Sequence, residues 1–244
     1  MRLELDTVAS VPSYRAKHGF STTALGSLGL TGSSDPEEVL RRRQEFADRV
    51  GFDLTLALMT VQEHGANVAS FSRSRPEGGQ CVFSTDALAS DLPGQAIITY
   101  HADCFPLLFA DQAKGVVAGA HSGWRGALAG VAARTVEALR QAYGSKPADL
   151  EVLIGPGICA NCYPVGEEVA RQFAGRYGPE DRYLRRDNGE VRLDIAAVVR
   201  IQLEQAGVAP GQVRSSRWCT REEDRWFSHR AGRAGRFLSA IVAP

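Results

Sequence analysis

The sequence predicts a mixed α/β chain in which helices flank a mostly buried sheet, and three observations carry that prediction. Short apolar runs, rich in β-branched residues or leucine, alternate with segments whose apolar residues recur at helical spacing. The runs are continuous, which is the pattern of strands covered on both faces. Gly, Pro or Asp bounds each run, as turn residues do. At 244 residues and 44% hydrophobic content the chain can bury a large core. No repeat, low-complexity segment or linker divides residues 1–244, so one domain is expected.

The elements follow in order. Asp35-Pro36-Glu37-Glu38 supplies an N-cap, a first-turn proline and two acids, and Val39, Phe46 and Val50 then recur at helical spacing until Gly51. TLALMTV (55–61) reads as a buried strand, and Gln62 to Gly65 as the turn after it. AIITY (96–100), PLLFA (106–110), GVVAGA (115–120) and EVLI (151–154) are further strands. Leu128, Val131, Ala132, Val136 and Leu139 mark one helix from about Gly126 to Tyr143, closed by Gly144. Two more helices are expected near 166–177 and 194–206, the second capped by Asp194. SRPEGGQ (74–80) and RRDNGE (185–190) read as surface turns. Strand order is not legible at this level.

Charge and cysteine content narrow the function classes. Lys+Arg and Asp+Glu are both 28, so no global field draws nucleic acid or an anionic membrane. The basic residues Arg225, Arg230, Arg233 and Arg236, interleaved with Trp226, Phe227 and Phe237, read as a solvated strand edge rather than an RNA surface. The N-terminus lacks the apolar core of a signal peptide, and no run approaches a membrane helix. Five scattered cysteines fit a reducing compartment, so a cytoplasmic location is expected.

Three residues share a position type. His64 follows the strand 55–61, Cys104 the strand 96–100 and His121 the strand 115–120. If those strands neighbour one another in one sheet, their ends converge. Imidazole and thiolate are good zinc ligands, and a set of three leaves the fourth tetrahedral position open for water or substrate. The spacing matches no short zinc motif, and a buried cysteine is ordinarily a small apolar group, so the residues by themselves leave both readings open. His101 precedes Cys104 by three, which places the two on opposite faces of a continuing strand and argues against a fourth ligand. Cys159-Ala160-Asn161-Cys162 has the spacing of a zinc knuckle or redox pair. It lacks a second CxxC and a Trp-Cys-Gly context, so it reads as a loop between strand and helix. Cys81 and Cys219 show no functional pattern.

HADCFPLLFAD (101–111), HSGWRG (121–126), IGPGICANCYPVGEEV (154–169), HGFST (18–22) and DRWFSHR (224–230) together resemble the YfiH-like family, in order and over nearly the whole chain. That family is also described as polyphenol oxidase or laccase-domain, purine nucleoside phosphorylase-like and peptidoglycan editing factor proteins. The resemblance implies a single α/β domain with a central β-sandwich of mixed sheets flanked by helices. It also implies a zinc site made by His64, Cys104 and His121. Several positions depart from the family pattern. Thr23-Ala24-Leu25-Gly26 stands where an arginine and a Gly-Gly-Val-Ser stretch are usual. His101 replaces a common threonine, Glu63 a valine and Gly157 a frequent cysteine. The ligands are retained, so these departures bear on substrate identity more than on metal binding.

Within that frame Arg125 is the candidate for holding phosphate or another anion, beside the N–H groups of Gly123 to Gly126 at a helix start. Ser122 is a candidate substrate contact or helix cap. Asp103 is a candidate for orienting a ligand histidine or carrying a proton. Phe227 and Arg230 are candidates for reaching the pocket, and Trp124 reads as a packed anchor. The leading expectation is a zinc-dependent enzyme acting on purine nucleosides, by phosphorolysis of adenosine or inosine, by adenosine deamination, or both. Its partners would be a nucleoside and phosphate, without nucleic acid or membrane, in a monomer or homodimer. One alternative is an amide hydrolase on cell-wall-precursor substrates, with Cys104 as a nucleophile activated by His121. The other is copper-dependent polyphenol oxidation, for which five histidines are too few to build a multicopper cluster. Nucleoside binding without turnover is a further reading, given the altered segment 20–26.

Overall fold

The computed structural model describes residues 6–30, 34–72 and 81–244. The expected turn at 74–80 lies outside them. In chain order the strands are β1 (Val8–Ala9), β2 (His18–Ser21), β3 (Leu58–Thr60), β4 (Val68–Phe71), β5 (Cys81–Val82), β6 (Ala87–Ser90), β7 (Ala96–His101) and β8 (Phe105–Asp111). They continue with β9 (Val116–Ser122), β10 (Leu150–Ile154), β11 (Pro164–Val165), β12 (Leu184–Asp187), β13 (Glu190–Leu193), β14 (Val213–Ser215) and β15 (Phe237–Val242). The α-helices are α1 (Pro36–Val50), α2 (Trp124–Ala129), α3 (Val131–Tyr143), α4 (Glu167–Tyr177) and α5 (Ile195–Gln205).

Two six-stranded mixed sheets face each other, flanked by helices. One has the order β1-β2-β15-β7-β3-β5 and the other β14-β10-β8-β9-β6-β4, with a small β11-β13-β12 sheet beside them. Strand alternation explains why the apolar runs are continuous. Leu58, Ile97, Leu108, Val117 and Leu153 point into the layer between the sheets, where they meet Phe20, Trp226 and Phe237. Their neighbours point the other way. Met59, Ala96 and Ile98 pack with Phe46 and Ala47 of α1, while Leu107, Phe109, Val152 and Ile154 join Val131, Val136 and Val199 of α3 and α5. Both faces are covered although most of the pairing is antiparallel, as in β8 with β9 and β7 with β15.

Helix ends follow the local chemistry. Asp35 Oδ1 accepts from the Glu38 N–H at 3.0 Å, and Gly51 ends α1 in the left-handed region at φ 86°. Asp194 Oδ1 likewise caps α5 through the Ala197 N–H at 2.9 Å. The helix expected over 126–143 is two helices, because Gly130 adopts φ 89° and interrupts it. Gln202 repairs that break by donating to the Ala127 carbonyl at 2.6 Å and accepting from the Ala132 N–H at 3.1 Å. The strand expected over 55–61 is only Leu58–Thr60, since Asp53 caps a 3₁₀ turn at Leu54–Leu56 through the Thr55 N–H at 2.8 Å. Residues 185–190 are a tight hairpin, β12 to β13, with Asn188 (φ 49°) and Gly189 (φ 77°) at its two-residue turn.

The C-terminal cluster is not a solvated strand edge. β15 is an interior strand between β2 and β7, and Trp226 and Phe237 are fully buried. Arg225 stacks on Trp218 and Trp226, at 4.5 and 5.2 Å from the ring centroids. Among the described residues, no helix is long and apolar enough to cross a membrane.

Candidate metal centre

The ligand-type atoms of His64, Cys104 and His121 all lie within 4.8 Å of one another. The convergence is not along one sheet, as the strand positions alone suggested. β3 and β7, which lead to His64 and Cys104, are parallel neighbours in one sheet, whereas β9, which carries His121, belongs to the other. The site forms where the chain crosses from β7 in the first sheet to β8 in the second, so His121 meets the others across the sandwich.

Two of the turns are held in the left-handed region without glycine, His64 at φ 61° and Asp103 at φ 84°. Such a conformation costs on the order of 1–3 kcal/mol and persists only where neighbours over-determine it. For His64 the neighbour is Asp86. Its Oδ1 accepts from the His64 N–H at 3.0 Å, and its Oδ2 from the Gly65 and Glu63 N–H groups at 2.7 and 3.2 Å. The same Oδ1 lies 2.9 Å from His121 Nδ1. One buried carboxylate thus fixes the backbone of one histidine and the ring of the other. With Nδ1 donating to Asp86, His121 presents Nε2 to the site.

Asp103 does something else. Its Oδ1 accepts from Thr220 and Ser228 hydroxyls at 2.7 and 2.6 Å, and its Oδ2 from the Arg230 N–H at 2.8 Å. It therefore ties the C-terminal segment to the turn before Cys104, and the carboxylate that orients a histidine is Asp86. Sequence reasoning missed Asp86 because nothing in Ser84-Thr85-Asp86-Ala87 departs from an ordinary turn before a strand.

The glycines of the HSGWRG motif make room for this arrangement. A Cβ on Gly123 would sit 2.9 Å from Cys104 Sγ and 3.2 Å from His64 Cδ2. A Cβ on Gly126 would sit 2.8 Å from the Gly65 carbonyl oxygen, so the start of α2 is pressed against the His64 turn.

Burial pushes the Cys104 thiol up, but the His121 and His64 imidazoles beside it bring it down to about 6. Burial pushes His121 down, but the Cys104 thiolate and Asp86 raise it to about 9. Each group thus favours the charged form of the other. His101 sits outside the ligand set. Its Nδ1 lies 3.1 Å from the Cys104 carbonyl oxygen and its Nε2 2.7 Å from Thr99 Oγ1, so both nitrogens are engaged.

A cavity of about 590 Å³ opens on His64, Cys104 and His121, with Val61, Gln62, Tyr100 and Leu30 on its walls. Arg236 lines it as well, the one Lys or Arg among its described lining residues. On another side of the centre, Trp124, Tyr163 and Arg230 line a second hollow of about 320 Å³. Arg230 stacks on Tyr163 at 4.8 Å and Arg125 on Trp124 at 4.4 Å. Burial pushes the Tyr163 hydroxyl up to about 12, with the nearby Cys104 thiolate adding to the shift and Arg230 and Arg125 opposing it. Both arginines therefore act on the Tyr163 hydroxyl. Ser122 is the last residue of β9, fully buried, with no partner for its hydroxyl among the described residues. It does not cap α2, whose N-cap is Gly123. Phe227 is packed into the layer between the sheets, behind Gly235 of the cavity wall, and is not itself among the described lining residues.

A family model described as multi-copper polyphenol oxidoreductase laccase matches residues 13–244. A Deinococcus radiodurans protein named purine nucleoside phosphorylase is 35% identical over 243 residues, spanning 96% of this chain and 91% of its own. Geobacillus stearothermophilus YlmD, named likewise, is 32% identical over 95% of this chain and 89% of its own. A crystal structure of YlmD from that organism superposes with a TM-score of 0.89 at 29% identity, covering 99% of this chain and 98% of that one. A crystal structure of Bacillus licheniformis YfiH gives 0.85 at 30% identity, covering 93% and 92%. The motifs, the sandwich and the matches extend over the same residues, and the chain belongs to the multi-copper polyphenol oxidoreductase laccase family, with YfiH and YlmD among its structural relatives.

Proposed function

We propose that the protein is a zinc-dependent enzyme acting on purine nucleosides, with phosphorolysis of adenosine or inosine as its main reaction. The observation that carries the reading is the set of two imidazoles and one thiolate, closed to three protein donors and opening on a cavity of about 590 Å³. Three donors of this kind suit a catalytic zinc site with one open position. Asp86 on His121 is the outer carboxylate such ligands ordinarily have. The names of the relatives supply the substrate class.

A zinc ion held there supplies Lewis acidity toward an oxygen of water or substrate. The chain's own residues do the rest. Asp86 keeps His121 in the tautomer that offers Nε2. Tyr100, Val61 and Leu30 offer a partly apolar wall for a base and ribose, and Gln62 holds the Tyr100 backbone through its N–H at 2.7 Å and its carbonyl at 3.0 Å. Arg125 and Arg230, beside Tyr163, and Arg236, in the cavity itself, are the candidates for holding phosphate, since each offers a planar guanidinium that keeps its charge. In phosphorolysis a phosphate oxygen forms the bond to ribose C1′ as the bond to the base breaks. In deamination water oxygen replaces the amino group at C6 and ammonia leaves. The two are told apart by product.

Purified protein incubated with adenosine or inosine and phosphate is expected to release free base and ribose 1-phosphate. Cys104→Ala should lower that rate by about 100-fold or more. Folded protein that holds zinc at this centre and turns over neither nucleoside would end the reading.

A second reading has an observation of its own. Cys104, His121 and Asp86 are also a hydrogen-bonded thiol, imidazole and carboxylate, the order found in cysteine hydrolases. Alkylation distinguishes the two, because a zinc-held Cys104 resists it, whereas a free nucleophilic thiol reacts rapidly and loses activity. Among the described residues, the donor set for a multicopper centre is not there. Of the five histidines, His18 and His101 have both ring nitrogens in hydrogen bonds, which leaves His64, His121 and His229.

A further inference from the structure

A second cluster of metal-binding side chains lies apart from the first. The ligand-type atoms of Cys159, Cys162, Cys219 and Glu222 all lie within 4.8 Å of one another. The CxxC reads in sequence as a plain loop and Cys219 as unremarkable. What brings them together is the pairing of Gly157 with Cys219 as an isolated parallel bridge, with Gly157 N–H to the Trp218 carbonyl at 3.2 Å and Thr220 N–H to the Gly157 carbonyl at 3.1 Å.

The local geometry is that of a metal turn. Cys159 is the N-cap of the 3₁₀ turn Ala160–Cys162, and the Cys162 N–H donates to the Cys159 carbonyl at 3.0 Å. Such a turn places sulfurs at i and i+3 side by side, as in zinc knuckles. The Cys159 N–H donates to Cys219 Sγ at 3.4 Å. Cys159 and Cys162 both point their sulfurs at Glu222 Oε1, at 3.5 and 3.2 Å. A tetrahedron with metal–sulfur bonds of about 2.3 Å has edges of about 3.8 Å, so a small inward movement closes this set on an ion. A disulfide would use two of the sulfurs and leave the third and the carboxylate unaccounted for. Three thiolates and a carboxylate around a dication leave the same net charge as a four-cysteine zinc site.

We propose that Cys159, Cys162, Cys219 and Glu222 form a second, structural site for a divalent cation of the zinc class, closed by four protein ligands. The ion clips residues 157–162 to residues 218–222. Those two segments hold the turn before Cys104 from both sides, since Ile158 N–H donates to the Asp103 carbonyl at 2.9 Å and Thr220 Oγ1 to its carboxylate at 2.7 Å. The second site thereby braces the loop that carries a ligand of the first.

The test reads this site alone, by removing the first centre's thiolate, and does not depend on nucleoside turnover. Full-length Cys104→Ala, loaded with zinc and desalted, is expected to retain one equivalent. Loaded with cobalt, it should show tetrahedral d–d bands with strong thiolate charge transfer. Adding Cys162→Ser should drop the retained metal at least about fivefold. Because that variant can fail to fold, the wild-type protein is also mapped by alkylation and peptide mass. Exposed Cys81 should react at once, and Cys159 only after a chelator is added. Loss of all zinc from folded Cys104→Ala, Cys159 labelling that chelation does not change, or a Cys159–Cys162 or Cys159–Cys219 disulfide in the zinc-loaded protein would each overturn the proposal.

Discussion

Asp86 offers two oxygens, and four donors reach them: three successive backbone N–H groups around His64 and the ring of His121. Asp86→Asn preserves the shape but turns one oxygen into a donor that faces an N–H, so zinc affinity should fall about 10- to 100-fold. Competition against a chromophoric chelator measures it, and an unchanged affinity would mean the ligands are held by other contacts. Asp103 shows the limit of reading a carboxylate from its sequence neighbours. It adjoins Cys104 in the chain, yet its oxygens are filled by residues more than 100 positions later. His18 illustrates the same scale for stability. The Val11 N–H donates to its Nε2 at 3.0 Å, so its Nδ1 carries the proton given to the Ala16 carbonyl at 2.7 Å. Burial holds its pKa below the usual histidine value, against the smaller opposing pull of the Ala16 carbonyl. The unfolded chain then takes up the proton first. This contribution is complete above the unfolded value of about 6.5 and is lost as pH falls through it toward the folded value. Denaturant midpoints should therefore decline between pH 7 and pH 5, and His18→Gln should flatten that slope. A slope identical in the variant would assign the decline to other groups, such as buried His101, whose pKa burial also lowers.

At the scale of elements, most helices and central strands were legible because caps, turn residues and apolar spacing are local signals. Asp35, Gly51, Gly144 and Asp194 all end helices as their chemistry predicts. What was not legible was the break at Gly130, since a glycine inside a helical pattern is equally compatible with a continuous helix. Gln202, 70 positions from Ala132, and the Tyr177 hydroxyl satisfy the polar groups that the break frees. The α2 start gives a sharper test. Gly123 has an ordinary backbone at φ −83°, so alanine is tolerated by the chain but not by the site, where its Cβ would press on Cys104 Sγ. Gly123→Ala should lower zinc affinity by about 10-fold or more, within the range of disturbed ligand support, while leaving the thermal midpoint nearly unchanged. Equal affinity would show that Cys104 and His64 can move aside.

At the scale of the whole molecule, the centre exists because two sheets pack face to face. His64 and Cys104 leave the first sheet at neighbouring strand ends and His121 comes from the second, so the spacing of the layer sets the distance between the three side chains. Phe237 is fully buried in that layer, with its ring 5.3 Å from both His101 and Trp226. Phe237→Ala should cost about 3–5 kcal/mol in unfolding free energy, read from chemical denaturation. A loss under about 1 kcal/mol would mean the layer collapses readily around the gap.

The amino-acid sequence by itself determined the alternation of strands and helices, their principal boundaries and the three residue types fit to bind a metal. These depend on side-chain periodicity, caps and donor chemistry, all written within a few positions. The tertiary structure alone decided that β15 lies inside a sheet, that Asp86 rather than Asp103 orients His121, and that Cys219 joins Cys159 and Cys162. Each of those pairs residues far apart in the chain, and no local pattern encodes which distant strand or turn will be brought alongside.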